Sequence, residues 1–347
     1  MEAHEKAKES RPLDNPLTDI DPSDVYAAVD LGTNNCRLLV ASPTPVEGSV
    51  WPTLRILDSY SRIVRLGEGV GANARLTQDA MDRTIKALKV CQSKLKKYPG
   101  AKVRCVATEA CRRARNALDF VGQVADEASL DLEIISNEEE ARLAFYGCCS
   151  LLRDETKQAL TFDIGGGSTE FMWAKRTRPN ALPDVVGWTS VPYGVMTLSE
   201  LSGSSGYAEM YFEEITERIA VHLQAFNEEY DIRSAMSGEG VQLLSTSGTV
   251  TTLAAIHLDL QRYDRTQIDG ITLSLESLRQ STRRLLEMSP AERYRHPCIG
   301  RHRADYIISG CAILEAICQT WPFAEITIAD RGVREGIIMN LLVNSNG

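Results

Sequence analysis

Asp163-Ile-Gly-Gly-Gly-Ser-Thr-Glu170 stands between two runs that read as strands, Ala159-Leu-Thr-Phe162 before it and Phe171 to Ala174 after it. The same unit occurs earlier. Val25-Tyr-Ala-Ala-Val29 leads into Asp30-Leu-Gly-Thr-Asn-Asn35, and Cys36 to Ala41 continues as a second strand. The two aspartates lie 133 residues apart. A strand, Asp-x-Gly turn, strand unit repeated at domain-sized spacing predicts two related α/β halves.

Working outward, the remaining periodicities fill both halves. In the first, Leu54 to Val64, Val103 to Ala107 and Leu132 to Ile135 read as strands. Thr77 to Lys97 has helical spacing with Thr77 as N-cap, and Cys111 to Ala128 and Glu138 to Leu152 read as helices. In the second, helices are expected at Tyr207 to Tyr230, Val250 to Leu258, Ser277 to Glu287 and Asp305 to Gln319. Strands are expected at Val241 to Ser245 and Glu325 to Ala329, and a last helix at Val333 to Asn344. The expected domains are a mobile arm over 1–23, a first unit over 24–150 and a second over 151–330.

Composition bounds the function. A chain of 347 residues suits two domains of ordinary size. Its 43% hydrophobic and 24% charged residues are those of a folded globular protein. The net charge of −9 argues against broad nucleic-acid binding, while leaving room for local basic patches on a polyanion. Two such stretches, 83–104 and 279–303, also fit plain solvated helix faces. No apolar run reaches the roughly 18 residues of a membrane span. The first 24 residues lack the apolar core of a secretory signal. Nine cysteines without a C-x-x-C pair favour neither a disulfide framework nor structural zinc, so a reducing cytoplasm is expected. Gly67-x-Gly69-x-x-Ala72 lacks the following helix and ribose-binding acid of a dinucleotide site.

The two glycine turns carry the chemistry. Gly32, Thr33 and Asn34 in one, and Gly165, Gly166, Gly167 and Ser168 in the other, let consecutive amides converge on an anion, with hydroxyl and amide side chains as added donors. An aspartate at the strand end, Asp30 or Asp163, can hold Mg²⁺. Ordinary hairpin turns explain either unit alone, but less readily a matched pair. Glu140 has two readings. It is a carboxylate able to activate water, or the far member of a capping box begun by Asn137. Arg112 opens a helix after a strand, where it is either solvated or aimed into a cleft as a phosphate clamp. Thr246-Ser247-Gly248-Thr249 serves a nucleotide, further phosphates, or helix capping by Thr249. Arg331 and Arg334 either meet phosphate or pin the last helix. His296 and His302, beside Arg295, Arg301 and Arg303, form either a positive groove or plain surface charge.

Asp30-Leu-Gly-Thr-Asn-Asn35, Arg65-Leu-Gly-Glu-Gly69, Ala107-Thr-Glu-Ala-Cys-Arg-Arg-Ala114, Ile135-Ser-Asn-Glu-Glu-Glu-Ala-Arg142 and Asp163 to Glu170 occur in order. Pro192-Tyr-Gly194, Thr246 to Thr249, Arg303-Ala-Asp305 and Asp330-Arg-Gly-Val-Arg-Glu-Gly336 follow. The set resembles the exopolyphosphatase/guanosine pentaphosphate phosphohydrolase family from Val25 to Val343. The resemblance implies two actin-like (ribonuclease H-like) α/β domains around a cleft, with the last helix, 331–345, joining the first. It implies hydrolysis of a terminal phosphoanhydride. Glu140 would activate water and Arg112 would contact phosphate. Asp163 and Glu170 would serve Mg²⁺, and Ser168 with the glycines would bind phosphate. The expected substrate is inorganic polyphosphate, with guanosine pentaphosphate as the nearest alternative. A small-molecule kinase and a non-enzymatic filament or nucleotide sensor are more distant ones. No nucleic-acid or membrane partner is expected, and a homodimer is. Long members of the family carry further helical domains, which puts high processivity in doubt here.

Overall fold

The computed structural model describes residues 24–47, 51–177, 183–201, 212–301 and 303–345. The arm expected over 1–23, the first residues of the helix expected from Tyr207, and His302 lie outside them. The first sheet is built from β1 (Tyr26–Leu31), β2 (Asn35–Thr44), β3 (Thr53–Ile63), β4 (Lys102–Ala107) and β5 (Leu132–Ile134). Its order is β3-β2-β1-β4-β5. The second contains β6 (Gln158–Ile164), β7 (Thr169–Lys175), β8 (Asp184–Val191), β9 (Val241–Ser245), β10 (Thr272–Ser274) and β11 (Glu325–Ile328). Its order is β10-β11-β9-β6-β7-β8.

The repeat seen in the sequence is therefore a repeat of topology. In each half an antiparallel three-strand meander continues into parallel strands beyond its first member. Only the short antiparallel edge β10 has no counterpart in the first sheet. The molecule is α/β, with two mixed sheets of matching topology.

Side-chain alternation explains how the sheets are covered. Ala27, Val29 and Leu31 of β1 pack into a core with helices Gln78–Leu95 and Ala117–Ala128. Their neighbours Tyr26 and Ala28 point the other way. In β7, Phe171 and Trp173 join the second half's own core, while Met172 and Ala174 face the opposite side. Those opposite faces share one core with helices Asn137–Cys148 and Val333–Ser345. The period of two along buried strands thus sorts residues between private cores and a shared central layer.

The two central helices approach closely because glycines allow it. A Cβ on Gly336 would fall 2.6 Å from the Leu143 carbonyl carbon, and one on Gly147 would fall 2.8 Å from that of Gly332. Gly336→Val should cost about 2–3 kcal/mol through overpacking, read as a lowered denaturant midpoint. An unchanged midpoint would show that the two helices do not cross this tightly.

Several local expectations need correction. Cys111 to Ala128 is not one helix but two, Glu109–Arg113 and Ala117–Ala128, because Ala114 turns to extended backbone. Strands β8 and β10 and helices Val195–Leu201 and Pro290–Arg295 were not anticipated. Thr77 does cap its helix, accepting from the Ala80 amide. The nine cysteines are free and buried. Among the described residues no helix is long and apolar enough to cross a membrane.

Candidate active site

The glycine turns close identically. Gly32 N–H donates to Asn35 O, and Gly165 N–H to Ser168 O, each at 2.9 Å. The carbonyls that follow are engaged behind the loops. Thr33 O accepts from Gly67 N–H, and Asn34 O from Val64 and Arg65. Gly165 O and Gly166 O accept from Val195 and Met196, the first amides of helix Val195–Leu201. The amides of Thr33, Asn34, Gly166 and Gly167 donate to no protein acceptor among the described residues. With the carbonyls held behind, these N–H groups are left for an anion. Gly194 completes the backing, since a Cβ there would lie 2.5 Å from the Gly167 nitrogen.

The two loops abut. A Cβ on Gly166 would lie 3.3 Å from Thr33 Cβ and 3.7 Å from Asn34 Cβ. Both loops line one cleft, of about 1190 Å³ with its open mouth. Gly32, Thr33, Asn34, Gly165, Gly166, Gly167, Ser168, Gly248, Thr249, Asp30, Asp163 and Glu140 all stand on its wall.

Glu140 reaches that wall because it does not cap its helix. The cap is Ser136, which accepts from the Glu139 amide at 3.1 Å. The N-cap therefore lies one residue before the Asn137 expected, and no capping box forms. Glu139 turns instead to Arg104, at 2.6 Å. Glu140 Oε2 accepts from Arg112 Nη2 at 2.7 Å. Burial pushes its carboxyl up to about 7, against the pull of Arg112, and the nearby Asp30 and Asp163 push the same way.

Arg112 sits off the cleft wall. Its Nε and Nη2 donate to Glu109 Oε2 at 3.1 and 3.0 Å, and its Nη1 to Ile135 O at 2.9 Å. In this structure the guanidinium orients carboxylates.

Glu170 is also off the wall and fully buried. Its Oε1 accepts from Ser168 Oγ and from Ser190 Oγ at 3.1 Å, and Ser190 in turn accepts from Asn137 Nδ2 at 2.8 Å. Burial and the neighbouring Glu140 raise its carboxyl well above the usual range. Asp30 is raised by burial, and Asp163 by burial to about 6, each against the pull of Arg37.

Sequence reasoning passed over Arg37. The repeat contains the signal. Arg37 pairs with Asp30 across β1 and β2, as Glu170 pairs with Asp163 across β6 and β7. Equivalent positions thus hold a cation in one half and an acid in the other.

Arg303 reaches the same wall, 3.0 Å from Thr252 Oγ1 and 3.4 Å from Gly248 O, both neutral acceptors. Burial lowers its pKa. Arg331 is anchored bidentately to Asp269 and to Ser150 Oγ at 2.7 Å, so it ties the start of the last helix to both halves. Arg334 lies on the wall beside Glu335.

Ser247, not Thr249, caps helix Gly248–His257, accepting from the Thr249 amide at 3.1 Å. The supposed groove of His296, Arg295, Arg301 and Arg303 divides. Arg295 donates to Ala291 O on its own helix, while Arg303 faces the cleft. In the 83–104 stretch, Arg83, Lys89, Lys94, Lys102 and Arg104 all pair with carboxylates, Arg83, Lys89 and Lys102 at the surface and Arg104 largely buried on β4.

The donor set suits a magnesium ion. Asp30 and Asp163, both half-buried, line the cleft, and Asn34 Oδ1 is buried with no hydrogen-bond partner. Among the described residues no three His, Cys, Asp or Glu form a cage. Magnesium typically takes one or two carboxylates and completes its shell with water and substrate phosphate.

A pair of abutting amide cradles beside buried acids and guanidiniums is equipment for phosphoryl chemistry, which needs positioning and charge neutralisation above all. Comparison with known families agrees. The model of the Ppx/GppA phosphatase family matches residues 45–345, and the chain belongs to that family. It is 25% identical to the Ppx/GppA family member of Aquifex aeolicus over 93% of this chain and 99% of that one, with a TM-score of 0.73. An exopolyphosphatase-like protein is 25% identical over 92% of this chain and 99% of its own, with a TM-score of 0.79. An exopolyphosphatase from Cytophaga hutchinsonii shares the fold at 22% identity and a TM-score of 0.74, over 92% of this chain and 98% of that one.

Proposed function

We propose that this phosphatase is an exopolyphosphatase, releasing orthophosphate from the end of inorganic polyphosphate. The observation that carries the reading is the joined pair of cradles. Four free amides from opposite halves abut, with Arg37 and Arg303 on the same wall. A string of phosphates offers a charge to each. Among the described residues Tyr306 is the one aromatic side chain on that wall, which provides little surface for stacking a purine.

In this reading the terminal phosphate lies in the cradles, its oxygens on the amides of Thr33, Asn34, Gly166 and Gly167. Glu140 takes a proton from water as that water attacks phosphorus, and the shortened chain leaves as a phosphate anion. Arg112 holds Glu140 in place. Asp30 and Asp163 would hold Mg²⁺, which neutralises phosphate charge when bound. Glu170 supports Ser168 from behind.

The test is phosphate release from polyphosphate and from guanosine pentaphosphate, assayed separately. We expect kcat/KM at least tenfold higher for polyphosphate. The reverse ratio would assign the guanosine substrate. Mg²⁺ should also raise Tm at pH 8, and Asp163→Asn should remove most of that rise. An equal rise in both proteins would place the ion elsewhere.

A further inference from the structure

Glu109 is an acid pressed against an anion cradle. It lines the cleft. A Cβ on Gly167 would fall 2.8 Å from Glu109 Cγ and 2.9 Å from Thr33 Oγ1, so the Glu109 side chain packs where the two loops meet. It also lines a small second pocket behind the loops, with Arg113, Gly71 and Met196. Its charge is only half compensated. Arg112 spends Nε and Nη2 on Glu109 while Nη2 also serves Glu140. Two carboxylates share one guanidinium, so the trio carries net negative charge when both are ionised. Glu109 and Glu140 side chains are only 13% and 15% exposed, so solvent screens that charge weakly.

We propose that Glu109 is a positioning and specificity residue that keeps Arg112 on Glu140 and weakens the grip of the cradle on a lone phosphate. An inward-facing repulsive element discriminates between ligands as effectively as an attractive one. A chain of phosphates has additional holds at Arg37 and Arg303, and so tolerates the repulsion. Orthophosphate, once cut free, cannot span those holds as a chain does, and the same repulsion hastens its release. This rests on orthophosphate being a product here. It does not depend on which phosphoanhydride supplies it.

The test titrates inorganic phosphate alone into wild type, Glu109→Gln, Glu109→Ala and Glu109→Asp by calorimetry, with melting curves to show folding. Gln and Ala remove the charge and should bind phosphate at least fivefold tighter. Asp retains it and should stay within twofold of wild type. In turnover, Gln should become more sensitive to phosphate inhibition by the same factor, while KM for the substrate changes less. If Gln fails to fold, Ala against Asp makes the same comparison. Unchanged or weaker phosphate binding in the folded neutral variants would overturn the proposal and leave Glu109 a scaffold residue. Because phosphate binding is read without turnover, a different natural substrate would not affect this outcome.

Discussion

Glu140→Gln should lower turnover by roughly 10²–10⁴-fold, the usual worth of a positioned general base, while substrate binding persists. Glutamine has nearly the same volume. Helix Asn137–Cys148 should survive, because Ser136 supplies its cap and Glu139 is held by Arg104. Arg112 retains Glu109 and the Ile135 carbonyl. The cradle amides belong to other elements. Stability gives an independent check. In the folded protein the Glu140 carboxyl titrates at about 7, above the range of an unfolded glutamate, with burial as the largest cause. The folded chain therefore holds a proton that the unfolded chain has lost. That contribution is full below about pH 4, declines as pH rises to about 7, and is absent above. Gln cannot ionise, so at pH 8 the variant should melt no lower than wild type. Turnover, polyphosphate binding and calorimetric melting measure the three effects. Turnover within threefold of wild type would remove Glu140 from the chemistry. Lost binding with a lowered Tm would make it a structural residue.

Why such a residue can be found in a sequence, and where that ends, follows from how local each signal is. The Asp-x-Gly turns are local. Asp30 and Asp163 end strands, the glycines make the bends, and the same closing bond forms in both halves. Two sheets of one topology were legible from that pattern. Strand β8 was not. Gly187 interrupts its pattern, and a Cβ there would lie 2.5 Å from the Tyr230 ring, a reason visible only once helix Phe212–Tyr230 is packed. The cap of Glu140's helix was misread by one residue, since Ser136 and Asn137 are both acceptable caps and only the backbone distinguishes them. The partners of Arg112 lie at two ranges. Glu109 is three residues away on the same short helix, within reach of spacing arguments. Glu140 is 28 residues away on another element. Arg37 was legible in principle, by laying one half over the other, but a residue type that changes from arginine to glutamate between halves conceals the equivalence.

Arg112→Gln should give the second large loss, and its pH dependence should show through which group Arg112 acts. The guanidinium lowers the Glu140 pKa, opposing burial. Removing it leaves Glu109 and Glu140 both poorly solvated and unpaired, a situation proteins tolerate badly. The Glu140 carboxyl should then titrate above 7. At pH 7 most molecules would carry the base protonated and unable to accept a proton from water. The acid limb of kcat/KM, expected near 7 in wild type, should move to higher pH. The loss should be roughly 10²-fold or more at pH 7 and smaller at pH 9. Arg112→Lys keeps the charge without the fork that spans two carboxylates. It should leave the limb near its wild-type position and lower kcat modestly. If Arg112 acted instead as a clamp on the substrate, Arg112→Gln would lower activity equally at every pH, raise KM, and leave the limb in place. A pH profile of the two variants beside wild type therefore separates a residue that prepares the base from one that holds the phosphate.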